Sequence, residues 1–361
     1  MTENLYVDIH VLQTVPPSCV NRDDMGSPKT AVYGGTTRAR VSSQAWKHAI
    51  RQYFHENYPD ETLGKRTKHI VALLQEAISE RKPELSEDEA QTLASKTFEK
   101  AGLKIKSADK GTDALFFISE EQVKSLAKLA LEGITDKKKL RMALRDKPAI
   151  DIVMFGRMIA EDSGESSKIK LNYDATVQVA HSISTHAVHN EYDYFTALDD
   201  CSSEDNAGAG HLGTVEFNSA TLYRFATVNV NQLAKFVGTE TAKAVRNFVE
   251  AFIYSMPTGK ENTFANRTLP NDIYIAVRKD QPVNLCGAFE KPVQAGQEGY
   301  IKASEKAFAA YADNLYQQYD NAPEKAFGMG DGCPEPVEKA VVPAVLDGLE
   351  NYLQGKLENE K

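Results

Sequence analysis

The sequence predicts an α+β fold: one sheet with helices packed on it and a block of helices inserted in its first half. Three observations predict it. Alternating apolar residues open the chain at 5–13 and strand-like segments return after residue 147. Helix-period segments follow the first strand and a later, longer one. Between about 60 and 146 the composition shifts to helix formers and charge, with no convincing strand. At 361 residues, with 42% hydrophobic and 26% charged residues, the chain can bury a sizeable core.

The elements follow in order. Leu5, Val7, Ile9 and Val11 alternate with Tyr6, Asp8 and His10, so 5–13 reads as a strand with one core face, ended by Pro16-Pro17. Residues 18–41 form a long, cationic, turn-rich connection, and such length marks a functional loop. Within it Gly34-Gly35 frees the backbone for turn dihedrals and close approach to a ligand, while Arg38 and Arg40 point to the same side of an extended segment. Ser42 and Ser43 are good N-caps, and from Gln44 to about residue 58 the residues Ala45, Trp46, Ala49, Ile50 and Tyr53 form one apolar helix face. Lys47 and Arg51, four apart, occupy another face.

In the inserted block, helices are expected at 67–80 and 137–145. Ser86-x-x-Glu89 and Ser119-x-x-Gln122 each have the capping-box form before an apolar run. Its many lysines read as a solvated face. Strands are expected at 149–155 and 175–184, with a polar loop at 161–168 between them. Residues 185–213, rich in Asp, Asn and Gly, read as an extended arm carrying Tyr192, Tyr194 and Phe195. A strand at 222–230, a helix at 239–254 and a strand at 273–277 follow, then helices at 303–319 and 338–353, the second interrupted by Pro343. The order β-α-(helical insert)-β-β-α-β is that of an RRM or ferredoxin-like sheet. No convincing RNP1 octamer is present, so bases are not expected to be read on the sheet in the usual manner.

Residues 21–51 hold six cations (Arg22, Lys29, Arg38, Arg40, Lys47, Arg51) against two anions (Asp23, Asp24), in a chain of net charge −9. Helix N–H groups, serine hydroxyls and cations spaced this way suit the phosphates of a polyanion. The plainer reading is a solvated turn and an amphipathic helix with ordinary surface cations. GGTTRAR lacks the spacing of a nucleotide-hydrolase phosphate loop, and no G-x-G-x-x-G follows the first strand. An acidic total excludes only a uniformly basic surface, not a focused groove.

Other chemistry is weakly supported. His181, His186 and His189 lie close together, with His211, Asp193, Asp199 and Asp200 nearby. On a strand, however, His181 and His189 share a face that His186 opposes, and no recognised ligand spacing is present, so no metal is expected. Asp23-Asp24 could bind magnesium or act in RNA cleavage. Cys19, Cys201, Cys286 and Cys333 make no C-x-x-C pair and read as free thiols. The start MTENLYVDIH resembles no secretory leader, and no apolar run reaches spanning length, so a cytoplasmic protein without membrane contact is expected. No cofactor is expected.

NRDDMGSPK (21–29) followed by YGGTTRARVSSQAWKHAIR (33–51) resembles the N-terminal signature of the CasC-type backbone subunits of type I-E Cascade, the CRISPR surveillance complex, within the CRISPR-associated RAMP superfamily. The resemblance continues in FGRM (155–158), AHSISTH (180–186), DYFTALDD (193–200), HLGTVEFNSATLYRFATVNVNQL (211–233) and AFEKPV (288–293), but not around 60–145, after Met158 or beyond 320. It implies a hand-shaped, non-catalytic subunit: an RRM-like palm (1–59 and 147–361), helical fingers (60–146) and a thumb (186–216). It implies polymerisation head to tail along a CRISPR RNA whose bases pair with target DNA, with large, small, cap and repeat-processing Cascade subunits as further partners. By the same resemblance Asn21, Arg22, Lys29, Arg38, Arg40, Ser42, Gln44, Lys47 and Arg51 fall in the guide-RNA cradle. Met158 and Phe195 flank a displaced nucleotide, with Thr196 beside it supporting the kinked backbone. Related type III backbone subunits cut RNA with a loop aspartate, which makes an Asp23/Asp24 ribonuclease the alternative. In the type I-E family these aspartates would instead organise the loop.

Overall fold

The computed structural model describes residues 4–58, 63–107, 111–159, 169–197 and 211–359. In chain order the strands are β1 (Tyr6–Ser18), β2 (Thr30–Tyr33), β3 (Thr36–Val41), β4 (Gly64–Thr67), β5 (Phe116–Ser119), β6 (Val177–Val179), β7 (Ser182–Ser184), β8 (Glu191–Ala197), β9 (His211–Asn229), β10 (Asp272–Arg278), β11 (Lys325–Met329) and β12 (Glu338–Lys339). The helices are α1 (Ser43–Asn57), α2 (Ile70–Arg81), α3 (Glu87–Lys100), α4 (Glu120–Leu131), α5 (Lys137–Arg145), α6 (Ile150–Phe155), α7 (Val230–Val237), α8 (Thr241–Tyr254), α9 (Glu261–Phe264), α10 (Ile301–Tyr319) and α11 (Val342–Asn359).

The chain forms two compact units. The first comprises Met1–Tyr53, Gln178–Asn231 and Glu240–Lys361. It is built on a sheet of order β12-β11-β10-β1-β9-β7-β3-β2, with β6 and β8 also paired to β9. The inner strands β10, β1, β9 and β7 are the fourth, first, third and second of the β-α-β-β-α-β series, and every neighbouring pair among them is antiparallel. This is the ferredoxin-like arrangement the sequence predicts.

Both faces of β1 are covered, where the alternation predicts only one. Val11 lies opposite Arg224, whose guanidinium carbon stands 3.8 Å from the ring centre of Trp46 on α1 and 4.5 Å from that of Phe252 on α8. His10 lies opposite Phe225 and Tyr274, and its ring centre is 5.6 Å from that of Phe308 on α10. His10 is therefore buried among aromatic side chains, and Asp8, also buried, accepts from Val283 N at 2.8 Å. The helix α10, distant in sequence, supplies the Phe308 ring that covers His10. The strand also runs through Pro16-Pro17 to Ser18. Its pairing with β9 shifts register between Val15 and Ser18, where a missing N–H donor costs no ladder bond.

The second unit comprises Phe54–Val177 and Gln232–Thr239. Ile70, Leu74, Ile78, Ala94, Phe98, Leu126, Leu140 and Leu144 form its core. Both capping boxes close: Ser86 Oγ accepts from Glu89 N at 3.3 Å while Glu89 Oε2 accepts from Ser86 N at 2.9 Å, and Ser119 and Gln122 repeat the exchange at 3.1 Å each way. Two features differ from expectation. Strands β4 and β5 pair inside the block, and 149–155, expected as a strand, contains α6. A short apolar run has no periodicity that separates a buried strand from a buried helix. The unit's boundaries also lie outside the expected 60–146. Pro343, expected to break the last helix, sits in the first turn of α11, where its missing N–H has no intrahelical acceptor. The expected loop at 161–168 and the arm's residues 198–210 lie outside the described residues.

Candidate nucleic-acid interface

The cationic connection is folded rather than loose. Lys29 N donates to Asn21 O at 2.8 Å and Arg40 N donates to Lys29 O at 2.9 Å, drawing the loop's two ends and β3 together. The Asp23 carboxylate accepts from Met25 N at 3.0 Å and Ser27 N at 2.9 Å, which closes the loop tip. Asn21 Oδ1 accepts from Ser42 N at 2.9 Å and so ties the loop to the start of α1. Ser42 caps that helix, its Oγ accepting from Ala45 N at 3.3 Å. The expected connection is in fact a loop followed by a tight β2–β3 hairpin turning at Gly34-Gly35, both with positive φ. A side chain at position 34 would put its Cβ 1.7 Å from Glu290 O, so the glycine serves close chain packing.

This scaffold sorts the predicted residues. A narrow cleft of about 20 Å³ is lined by Asn21, Lys29 and Arg40 over an apolar floor that includes Val15, Val41 and Leu222. Beside it, Arg22, Asp23 and Asp24 line a second opening with Asn21. Arg22 is exposed, Gln44 is exposed in the first turn of α1, and Lys47 and Arg51 are half-buried further along it. Arg40 Nε donates to Thr30 O at 3.0 Å, and its Nη1 donates to His181 Nδ1 at 3.1 Å. Burial, then the charges of Arg40 and Lys29, hold the His181 imidazole below its usual pKa.

Two of the residues expected in the cradle are engaged within the protein itself. Arg38 is fully buried: Nη1 donates to Ser184 O at 2.9 Å, Nη2 to Phe289 O at 2.9 Å and Nε to Thr36 Oγ1 at 2.9 Å. Its donors are spent on backbone carbonyls and the Thr36 hydroxyl of the same unit, which fixes the shape of the cradle. Ser42 is buried too, with its hydroxyl accepting in the cap and its N–H donating to Asn21 Oδ1.

The arm's described part is a hairpin in which β8 pairs with β9 from Glu191 opposite Phe217 to Ala197 opposite His211. Phe195 lies opposite Gly213, and a Cβ on that glycine would come within 2.4 Å of the Phe195 ring, so the ring lies over the glycine. It remains 38% exposed, and Thr196 beside it is exposed. On the other face, Tyr192, Tyr194 and Leu212 are exposed.

Met158 belongs to the second unit and is 90% exposed. Its base is rigid. The adjacent Arg157 is buried, donating to Leu171 O at 2.9 Å, Phe117 O at 3.0 Å and Leu144 O at 2.8 Å, and it pairs backbone to backbone with Tyr173. A large apolar side chain on so fixed a base suits a wedge between bases.

The histidines separate. His186 Nδ1 donates to Ala187 O at 2.9 Å, its Nε2 accepts from Thr221 N at 3.1 Å, and its ring stacks on Tyr300 at 3.6 Å. Among the described residues, no three His, Cys, Asp or Glu side chains are grouped to hold a metal ion. Asp199, Asp200 and Cys201 lie outside them. Cys19, Cys286 and Cys333 are free thiols. Among the described residues no helix is long and apolar enough to cross a membrane.

Sequence reasoning missed His181 as a neighbour of Arg40 and Arg157 as the anchor of Met158. The first depends on the pairing of β3 with the three-residue β7, too short to register from periodicity. The second depends on carbonyls distant in sequence.

No curated protein matches the chain. Among solved structures, a chain of a "CRISPR RNA-guided surveillance complex, pre-nicking" is similar with a TM-score of 0.82 and 30% identity, over 96% of this chain and 99% of that one. A chain of a "CRISPR RNA-guided surveillance complex" is similar with a TM-score of 0.62 and 28% identity, over 96% and 99%. The CT1975-like protein model matches residues 7–350, and the chain is thus a member of the CT1975-like protein family.

Proposed function

We propose that this protein is a non-catalytic backbone subunit of a Cascade-like CRISPR surveillance complex of type I-E, assembling head to tail along CRISPR RNA in the cytoplasm. The observation that carries the reading is the cradle. Asn21 and Lys29 are tied by hydrogen bonds to Arg40 and the α1 N-terminus, and with Arg40 they line one cleft, while Asn21 and exposed Arg22 line the opening beside it. Full-length similarity to chains of CRISPR RNA-guided complexes supports the ligand's identity.

The subunit holds phosphates while exposed bases read sequence by pairing with target DNA, a division of labour that leaves the protein sequence-tolerant. Lys47 and Arg51 extend the cationic track along α1. Phe195, with Thr196, and Met158 supply a ring and an apolar wedge for a displaced nucleotide. Neighbouring copies and the large, small, cap and repeat-processing subunits complete the assembly.

The competing reading is a metal-dependent ribonuclease using Asp23 or Asp24. The Asp23 carboxylate's two backbone N–H bonds favour a loop-closing role for it. The test is to purify the tagged chain from its native host, sequence the RNA that accompanies it and identify the co-purifying proteins. Short RNAs with constant ends and variable centres are expected. Heterogeneous RNA, or none, would overturn the reading, and metal-dependent cleavage lost in Asp23→Asn or Asp24→Asn would establish the ribonuclease.

A further inference from the structure

His181 stands just before β7, exposed at the surface, where β3 brings Arg40 to its imidazole. Arg40 can only donate, so the 3.1 Å contact makes His181 Nδ1 an acceptor and places the neutral ring's proton on Nε2. The groups acting on the ring are Arg40 from β3 and Lys29 from the loop packed on it, both cationic. Both also line the cleft with Asn21. The imidazole beside these two cations has an acceptor satisfied by protein, a second nitrogen available to donate, and two neighbouring charges that disfavour its own.

We propose that His181 is a proton-linked phosphate ligand of this cradle, neutral in the free subunit and protonated when an RNA phosphate binds beside Arg40 and Lys29. This rests on the RNA-binding reading above. The phosphate supplies the negative charge that the site lacks. It accepts from His181 Nε2–H and offsets the two neighbouring cations, so the imidazolium becomes favourable only in the complex. Protonation occurs at Nδ1 from solvent, and the Nδ1 contact to Arg40 is exchanged for a guanidinium–phosphate bond. The sign follows from linkage. A group whose pKa rises on binding takes up a proton on binding, so affinity strengthens as pH falls through the bound-state pKa, about tenfold for each unit by which binding raises it.

The experiment measures binding of a short oligouridylate, whose bases do not titrate in this range, to the full-length wild type and to His181→Asn. Asparagine keeps an acceptor near the Nδ1 position but cannot be protonated. The expected result is that wild-type affinity tightens at least threefold from about pH 7.5 to about pH 5.5 and that His181→Asn flattens this change. In parallel, the His181 ring resonance followed by NMR is expected to titrate at higher pH with RNA than without. RNA binding with the same pH slope in both proteins, or a His181 titration unmoved by RNA, overturns the proposal and leaves the cradle standing. Absence of RNA binding by the wild type at either pH overturns the cradle itself.

Discussion

Arg38 and Arg40 are two residues apart on one strand and do different work. Arg38 gives its donors to carbonyls of Ser184 and Phe289, and its burial lowers its pKa. Truncating it leaves those carbonyls dry. Arg38→Ala is therefore expected to destabilise the protein by about 3 kcal/mol in urea unfolding, whereas Arg40→Ala, at a half-buried site, should leave stability within about 1 kcal/mol and weaken RNA binding. That weakening should be independent of guide sequence, with a salt slope shallower by about one for each phosphate that is no longer neutralised. Weakening confined to particular guides would contradict a phosphate-holding role. The hairpin glycines divide similarly. Gly34→Ala meets Glu290 O at 1.7 Å and should cost several times more than Gly35→Ala, which meets no atom within 4 Å and bears only the left-handed backbone cost of about 1 kcal/mol. Equal costs would show that strain in φ alone decides.

At the scale of elements, the capping boxes show how local sequence and packing combine. Both were legible as Ser-x-x-Glu and Ser-x-x-Gln because a cap is satisfied within four residues. Their weights differ for a tertiary reason. Ser86 is engaged only within its own box, while Ser119 is buried and its hydroxyl also donates to Lys147 O at 2.8 Å. Ser86→Ala is expected to cost about 1 kcal/mol and Ser119→Ala about 2 kcal/mol, read by helical circular dichroism during urea unfolding. The same contrast explains 149–155. Nothing inside that run says helix, and only its surroundings in the second unit make α6. The thumb-like arm was legible as an extended polar segment. That Phe195 lies over Gly213 was not, because the glycine sits on the partner strand.

For the whole molecule, the sheet's buried ionisable groups set a pH dependence. Burial raises the Asp8 carboxyl from 3.8 to about 7, against the bond it accepts from Val283 N. Its folded pKa exceeds its unfolded one, so its stabilising contribution is complete below about pH 4 and is lost as pH rises to about 7. His10 acts in the opposite sense. Burial lowers it from 6.5 to about 3, so its contribution is present above 6.5 and is lost as pH falls toward 3. Asp8→Asn removes the first without the second. Relative to wild type, this variant should gain stability at about pH 8 and lose the advantage at about pH 5, seen as a sign change in the difference of urea midpoints. An unchanged difference across that range would show that Asp8 does not titrate on unfolding.

The sequence by itself determined what is local or strongly periodic: the first strand, α1 with its cap, the capped helices of the insert, the ferredoxin-like order and the concentration of cations in 21–51. Each depends on neighbours within a few residues or on an apolar repeat, and neither needs the rest of the chain. The tertiary structure alone decided which cations remain available to a ligand. Two arginines of the same type and spacing part company because carbonyls some 150 and 250 positions away satisfy one of them, as the span from Arg38 to Ser184 and Phe289 shows. It also decided that β1 is covered on both faces, since α10 returns from the far end of the sequence to pack Phe308 against His10. Long-range burial assigns a polar side chain to structure or to ligand, and no periodicity encodes it.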